Sequence, residues 1–172
     1  MLEHVADGKK RAEAGAGRGI IVKNTSLWNR IIEHWRQCNI PFCHGVSPGE
    51  IARFEARYGV ALPNDVRDYF LAVNGTGQEM DPDLYRFWPL IEVNLVQEIL
   101  TATNPGQKAY QDCFVFADHC ISCWDYAVRL TSDPRQPAPV FRVTGGMLPG
   151  EMMRASFREF MEMYVANPRN II

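Results

Sequence analysis

The most closely spaced thiols of this chain stand in Cys120-Ile121-Ser122-Cys123, directly after His119. A C-x-x-C pair does redox chemistry when it opens a helix, whose dipole lowers a thiol pKa. Here the residues that follow alternate as a strand does, so that device is missing. Zinc needs four ligands on tight turns, commonly two such knuckles. The other candidates, Cys38, Cys43 and His44, are not spaced as a second knuckle. A structural thiol pair is therefore expected, with one cysteine packed as a small hydrophobe and no metal or cofactor. His4, His34, His44 and His119 show no pattern with Ser or Asp that nominates a nucleophile and its base. Gly15-Ala16-Gly17 and Gly145-Gly146 lack the strand-to-helix setting and the lysine of a phosphate loop. No catalytic residue is expected.

A different chemistry is written between residues 79 and 92. Glu79, Asp81, Asp83 and Glu92 outnumber Arg86 there, and Tyr85 and Trp88 cross the same segment. Solubility alone accounts for many acidic loops. The functional reading is a patch that puts carboxylates into a basic cleft on another protein. Long-range attraction then speeds encounter, and an aromatic neighbour supplies a desolvated anchor. Asp118 and Asp125, flanking the thiol pair, extend the same surface. Glu79, Asp81, Asp83, Tyr85, Trp88, Asp118 and Asp125 are thus the candidate partner-binding residues.

The bulk numbers exclude several classes. With 172 residues and 47% hydrophobic content the chain can bury a core of single-domain size. A formal charge of −2 gives no general drive toward nucleic acid or anionic membrane. No apolar run reaches the eighteen residues that a membrane span needs. Residues 1–19 lack the apolar stretch of a secretory signal, and Lys9-Lys10-Arg11 is too short for a nucleic-acid patch. Five cysteines form an odd set, for which reduced thiols and a cytoplasmic location are expected.

The elements that must position these groups follow from periodicity and caps. Residues 1–24 carry no sustained apolar period and read as a flexible arm, with the domain over 25–172. Trp28, Ile31, Ile32 and Trp35 at i, i+3, i+4 and i+7 predict a first helix. Ser47-Pro48-Gly49-Glu50 is a capping box opening a second, with Ile51, Phe54 and Tyr58 on one side and Gly59 at its end. Leu62-Pro63 leads into a third, where Val66, Tyr69, Phe70 and Val73 form one stripe closed by Asn74-Gly75. Residues 84–93 read as an extended edge strand because Pro89 cannot donate within a central ladder. A short helix is expected over 95–101, a turn at 104–106, and a buried strand over 113–117. Trp124, Tyr126, Val128 and Leu130 alternate with Asp125, Ala127 and Arg129 as in a half-buried strand. Residues 133–137 form a turn and 140–143 a further strand. Ser156 and Glu159 make a second capping box before Phe157, Phe160, Met161 and Tyr164, and Asn167-Pro168 ends that helix. Helices bracketing strands joined by short turns give an α+β domain, a largely antiparallel sheet packed against several helices.

Leu62-Pro63, the acidic first turn, the aromatic stripe and Asn74-Gly75 together resemble the signature of the SUKH superfamily. Four further pieces resemble that family in the same order. They are residues 47–59, Phe87-Trp88-Pro89-Leu90-Ile91-Glu92-Val93, the hairpin over 114–130, and the closing helix from Ser156 to Tyr164. The likeness spans roughly residues 47–168. It departs at the hairpin turn, which is glycine-rich in many members and is Asp118-His119-Cys120-Ile121-Ser122-Cys123 here. The resemblance implies an α+β fold in which Leu62, Pro63, Phe70, Asn74 and Gly75 serve the scaffold. It also implies a non-enzymatic immunity protein of a polymorphic toxin system. Such a protein binds a toxin, a nuclease among the candidates, and occludes its active site. The alternatives are a regulatory or scaffolding interaction module, as in a yeast regulator of cell-wall synthesis, and more remotely a thiol- or zinc-dependent enzyme at Cys120 and Cys123.

Overall fold

The computed structural model describes residues 26–99, 110–144 and 147–171. The arm over 1–24, the glycines at 15–17, His4, the turn at 104–106 and Gly145-Gly146 lie outside the described residues. Ser26 caps α1 (Leu27–Gln37) by accepting from the Asn29 N–H, and the helix buries Leu27, Trp28, Ile31 and Trp35. At α2 (Pro48–Tyr58) both bonds of the capping box form between Ser47 and Glu50, and Gly59 ends the helix at φ 67°.

α3 (Asn64–Ala72) stops earlier than its sequence predicts. Val73 is already extended and bridges to His44, so the stripe ends at Phe70 while Val73 reaches the core from a strand-like backbone. Asn74 and Gly75 are used differently as well. The Asn74 Oδ1 accepts from the Leu90 N–H at 2.7 Å. Gly75, at φ 72°, lies where a Cβ would stand 2.3 Å from the Phe87 carbonyl oxygen. The pair ties the helix to the first strand instead of closing the helix.

One antiparallel sheet follows, in the order β1-β3-β4-β5-β6. Its strands are β1 (Tyr85–Phe87), β2 (Asn94–Leu95), β3 (Cys113–His119), β4 (Trp124–Arg129), β5 (Val140–Thr144) and β6 (Met147–Arg154). β1 and β2 share one side of β3. The single edge strand expected over 84–93 is therefore split. After Trp88, whose N–H still reaches the Phe116 carbonyl, Pro89 has no N–H to give, and residues 89–93 turn before β2 resumes pairing. β2 runs into α4 (Val96–Ile99). β6 has no counterpart in the sequence reading, since Pro149 and Gly150 interrupt its pattern, and its edge position accommodates them.

α5 (Phe157–Ala166) buries Phe157, Phe160, Met161 and Tyr164, and a 3-10 turn (Pro168–Asn170) follows. Its capping box is half made: Ser156 accepts from the Glu159 N–H, while the Glu159 carboxylate accepts from Ala155. The main core joins α1, α2, α3 and α5 to one sheet face through Trp35, Tyr69, Phe114, Phe116, Tyr126 and Phe160. A smaller cluster of Val96, Tyr110, Cys113, Val115, Ala127 and Val143 covers the other face. β4 is consequently buried on both faces over Asp125–Val128, where alternation had predicted one.

Candidate functional site

The site lies at the end of the sheet where β1 begins and the β3–β4 turn closes. Its organiser is Asp81, which is 3% exposed. One carboxylate oxygen accepts from the Asp83 and Tyr85 N–H groups, both at 2.9 Å. The other accepts from the Tyr164 hydroxyl at 2.6 Å, and that hydroxyl accepts from the Trp35 indole at 2.8 Å. Burial raises the Asp81 carboxyl above its usual range, against the hydrogen bonds from Tyr164, Tyr85 and Asp83. The chain from Trp35 through Tyr164 to Asp81 fixes a tight turn to two helices. Leu84 leaves that turn with φ 66° and 46% exposure.

The neighbouring hairpin turn is more constrained. Cys120, Ile121 and Ser122 hold φ values of 54°, 56° and 57° in succession. A β-branched residue in this region is a genuine outlier. Ile121 is 83% exposed at the tip. The Cys120 N–H donates to the Leu84 carbonyl at 3.0 Å, so the two turns are stitched together with Leu84 and Ile121 both outside.

Behind the tip, a bulge between Val115 and Ala117 resets the alternation of β3. Asp118 thereby comes opposite Asp125 on β4 and Arg86 on β1. Its Oδ2 accepts from the Trp88 indole at 2.6 Å and lies 3.7 Å from the Arg86 guanidinium; its Oδ1 accepts from the Ser122 N–H. Arg86 also donates to the Gly77 carbonyl and to Glu92. Burial pushes the Asp125 carboxyl up to about 6, opposed by a hydrogen bond from Ser122 and reinforced by the charge of Asp118.

The seven candidate partner-binding residues thus part company. The structure brings their two segments together, since Tyr85 pairs with His119 and Arg86 with Asp118. Yet Asp81, Tyr85, Asp118 and Asp125 are buried, consumed by the turn, the core and the ionic cluster. Burial keeps those four from projecting as an acidic patch: desolvating a carboxylate is costly without donors, and the donors to Asp81 and Asp118 sit inside the fold. Glu79 is exposed, while Asp83 and Trp88 are partly so; Asp83 also accepts from Arg169 at 3.0 Å. Leu84 and Ile121 were not singled out by sequence. Their available signal was an apolar residue inside a polar turn, next to Asp81-Pro82-Asp83 in one case and between two cysteines in the other.

Cys120 is half-buried and Cys123 exposed. A hydrogen bond with the Cys120 thiol raises the Cys123 thiol, the opposite of redox activation. Among the described residues no three His, Cys, Asp or Glu side chains gather as metal ligands would. No helix of the described residues is long and apolar enough to cross a membrane.

A single antiparallel sheet with helices on its main face, and two stitched turns at one end, defines an α+β domain. The chain belongs to the SMI1/KNR4 family (SUKH-1), whose model matches residues 45–163, more than half of its length. That span runs from just before α2 into α5 and includes both turns of the site, while Trp35, Tyr164 and Arg169, which hold Asp81 and Asp83, lie outside it. Comparison with curated proteins gives no match.

Proposed function

We propose that this chain is a cytoplasmic immunity protein that binds a cognate bacterial protein toxin and occludes its active site, performing no catalysis itself. The family supports a protein-binding role. The observation that carries the reading is the pair of apolar side chains, Leu84 and Ile121, held outside on left-handed backbone above a buried ionic scaffold. Strain of that kind, about 1–3 kcal/mol per residue, persists where the surrounding structure over-determines it, and it collects at binding and switch sites. Buried Asp81 and Asp118 supply the over-determination. Leu84 and Ile121 then act as desolvated anchors, with Trp88 beside them and Glu79 and Asp83 as rim charges toward a basic toxin surface.

The test is co-expression with the toxic product of the adjacent gene. Wild-type chain restores growth, and Leu84→Asp with Ile121→Asp abolishes the rescue while the far-ultraviolet spectrum stays unchanged. Full rescue by that double variant places the contact elsewhere.

A further inference from the structure

A second surface stands apart from the tip, at the Val115 end of β3, about 13 Å along the strand from His119. It is an open groove of about 320 Å³ between α2 and residues 90–93. Its floor is Phe54, Leu90 and Val93, all buried, and Ile91 stands on its rim with 83% of its surface exposed. The rim of α2 contributes Arg53 and Arg57, one helical turn apart. Neither forms an ion pair among the described residues, although the chain as a whole is acidic. Arg57 lies over the Tyr58 ring at 4.8 Å. Glu50, the acid on this wall, accepts from the Ser47 N–H and hydroxyl at 2.8 and 2.7 Å. Those bonds and the charge of Arg53 hold its carboxyl below the usual range, so it offsets part of the Arg53 charge and leaves a net positive rim with Arg57.

The far wall is pre-formed. Asn74 fixes the Leu90 N–H, and the Glu92 N–H closes a turn on the Pro89 carbonyl at 2.8 Å. Ile91 is thereby presented by a held turn, which lowers the ordering cost of contact. A volume near 320 Å³ is at the low end for small-molecule pockets. It suits one or two anchoring side chains of a peptide.

We infer that this groove docks a short segment of a partner protein in which a bulky apolar side chain is flanked by carboxylates. The apolar side chain fills the space over Phe54, Leu90 and Val93 against Ile91. The carboxylates meet Arg53 and Arg57, which lie about 6 Å apart at i and i+4. Net charge disfavours residues 8–25 and 100–109 of this chain as the occupant, and only residues 1–7 among its undescribed segments carry acids, Glu3 and Asp7, without a lysine or arginine. Residues 1–25 hold five basic and three acidic side chains, and residues 100–109 hold Lys108 and no acid. This inference is independent of what binds at Leu84 and Ile121.

The experiment uses the full chain with labelled methyl groups and a synthetic twelve-residue peptide bearing Leu and Phe among Asp and Glu. Two control peptides carry Asn and Gln, or Lys, in place of the acids. The acidic peptide is expected to shift the methyl resonances of Val46, Leu90, Ile91 and Val93 saturably, and to bind at least tenfold tighter than either control. Arg53→Glu with Arg57→Glu lowers its affinity tenfold or more. Ile91→Ser does so without altering charge, and Leu84→Asp with Ile121→Asp leaves it unchanged. The inference is overturned by shifts confined to other residues, by equal affinity for the control peptides, by unaltered binding to the charge-reversed chain, or by no binding at millimolar peptide.

Discussion

Replacing Asp125 with Asn should stabilise the protein at neutral pH and leave it almost unchanged in acid. Asp125 is 7% exposed on β4, directly across from Asp118, and burial pushes its carboxyl up to about 6 from the 3.8 of an unfolded chain. A folded pKa above the unfolded one means that the folded state holds the proton more tightly. This group's contribution to stability is therefore fully present below about 3.8 and is lost as pH rises through about 6. At pH 7 the ionised carboxylate costs the fold about 3 kcal/mol by that linkage. Asn keeps the shape and an oxygen able to accept from Ser122, and it offers donors toward the Asp118 carboxylate. Asp125→Asn should then gain about 1–3 kcal/mol at pH 7 and less than about 0.5 kcal/mol at pH 4. Urea unfolding of both proteins at pH 7, 6, 5 and 4, at constant ionic strength, reads the difference. Asp81, whose carboxyl is also raised, is present in both proteins and drops out of the comparison. A wild-type-to-variant difference that stays flat across this range, or a variant less stable at pH 7, refutes the reasoning.

Other substitutions probe the scaffold and the tip separately. Ile121→Gly relieves an exposed β-branched residue at φ 56°, so thermal unfolding should show a gain of about 0.5–1 kcal/mol while partner affinity falls. Gly75→Ala demands both φ 72° and a Cβ against the Phe87 carbonyl, and a loss of roughly 2–4 kcal/mol is expected in denaturant titration. Tyr164→Phe removes the donor to Asp81 and the acceptor for the Trp35 indole, costing about 2–3 kcal/mol, read by the urea midpoint and by a red shift of indole fluorescence.

What the sequence discloses and conceals divides along physical lines. Helices α1, α2 and α5 are legible because caps and apolar stripes are local: Ser47 with Glu50 and the spacing of Trp28, Ile31 and Trp35 need no distant partner. The β3–β4 hairpin is legible from the apolar run that opens β3 and the alternation of β4, although not the burial of β4 on both faces. The early end of α3 and the edge strand β6 are not legible, because each depends on a tertiary contact: Val73 with His44, and β6 on β5. The break after Trp88 has its cause in Pro89, which the sequence shows but which marks an edge strand and a broken one alike. The site shows the same division. Sequence indicated that residues 79–92 and the thiol hairpin belong to one region, and their segments do pair. It did not indicate which acids turn inward. That depends on the β3 bulge, which changes the face of Asp118, and on Tyr164, 83 residues away from Asp81 in the chain. Surface acidity and buried acidity have the same composition, and only the positions of their donors distinguish them.

The most direct measurement is calorimetric titration of the full chain with the purified, catalytically inactivated product of a candidate toxin gene found next to its own. The account predicts saturable binding of sub-micromolar strength, and a loss of at least a hundredfold in the Leu84→Asp, Ile121→Asp protein. Absence of binding, or equal affinity for the wild-type and doubly substituted chains, would contradict it.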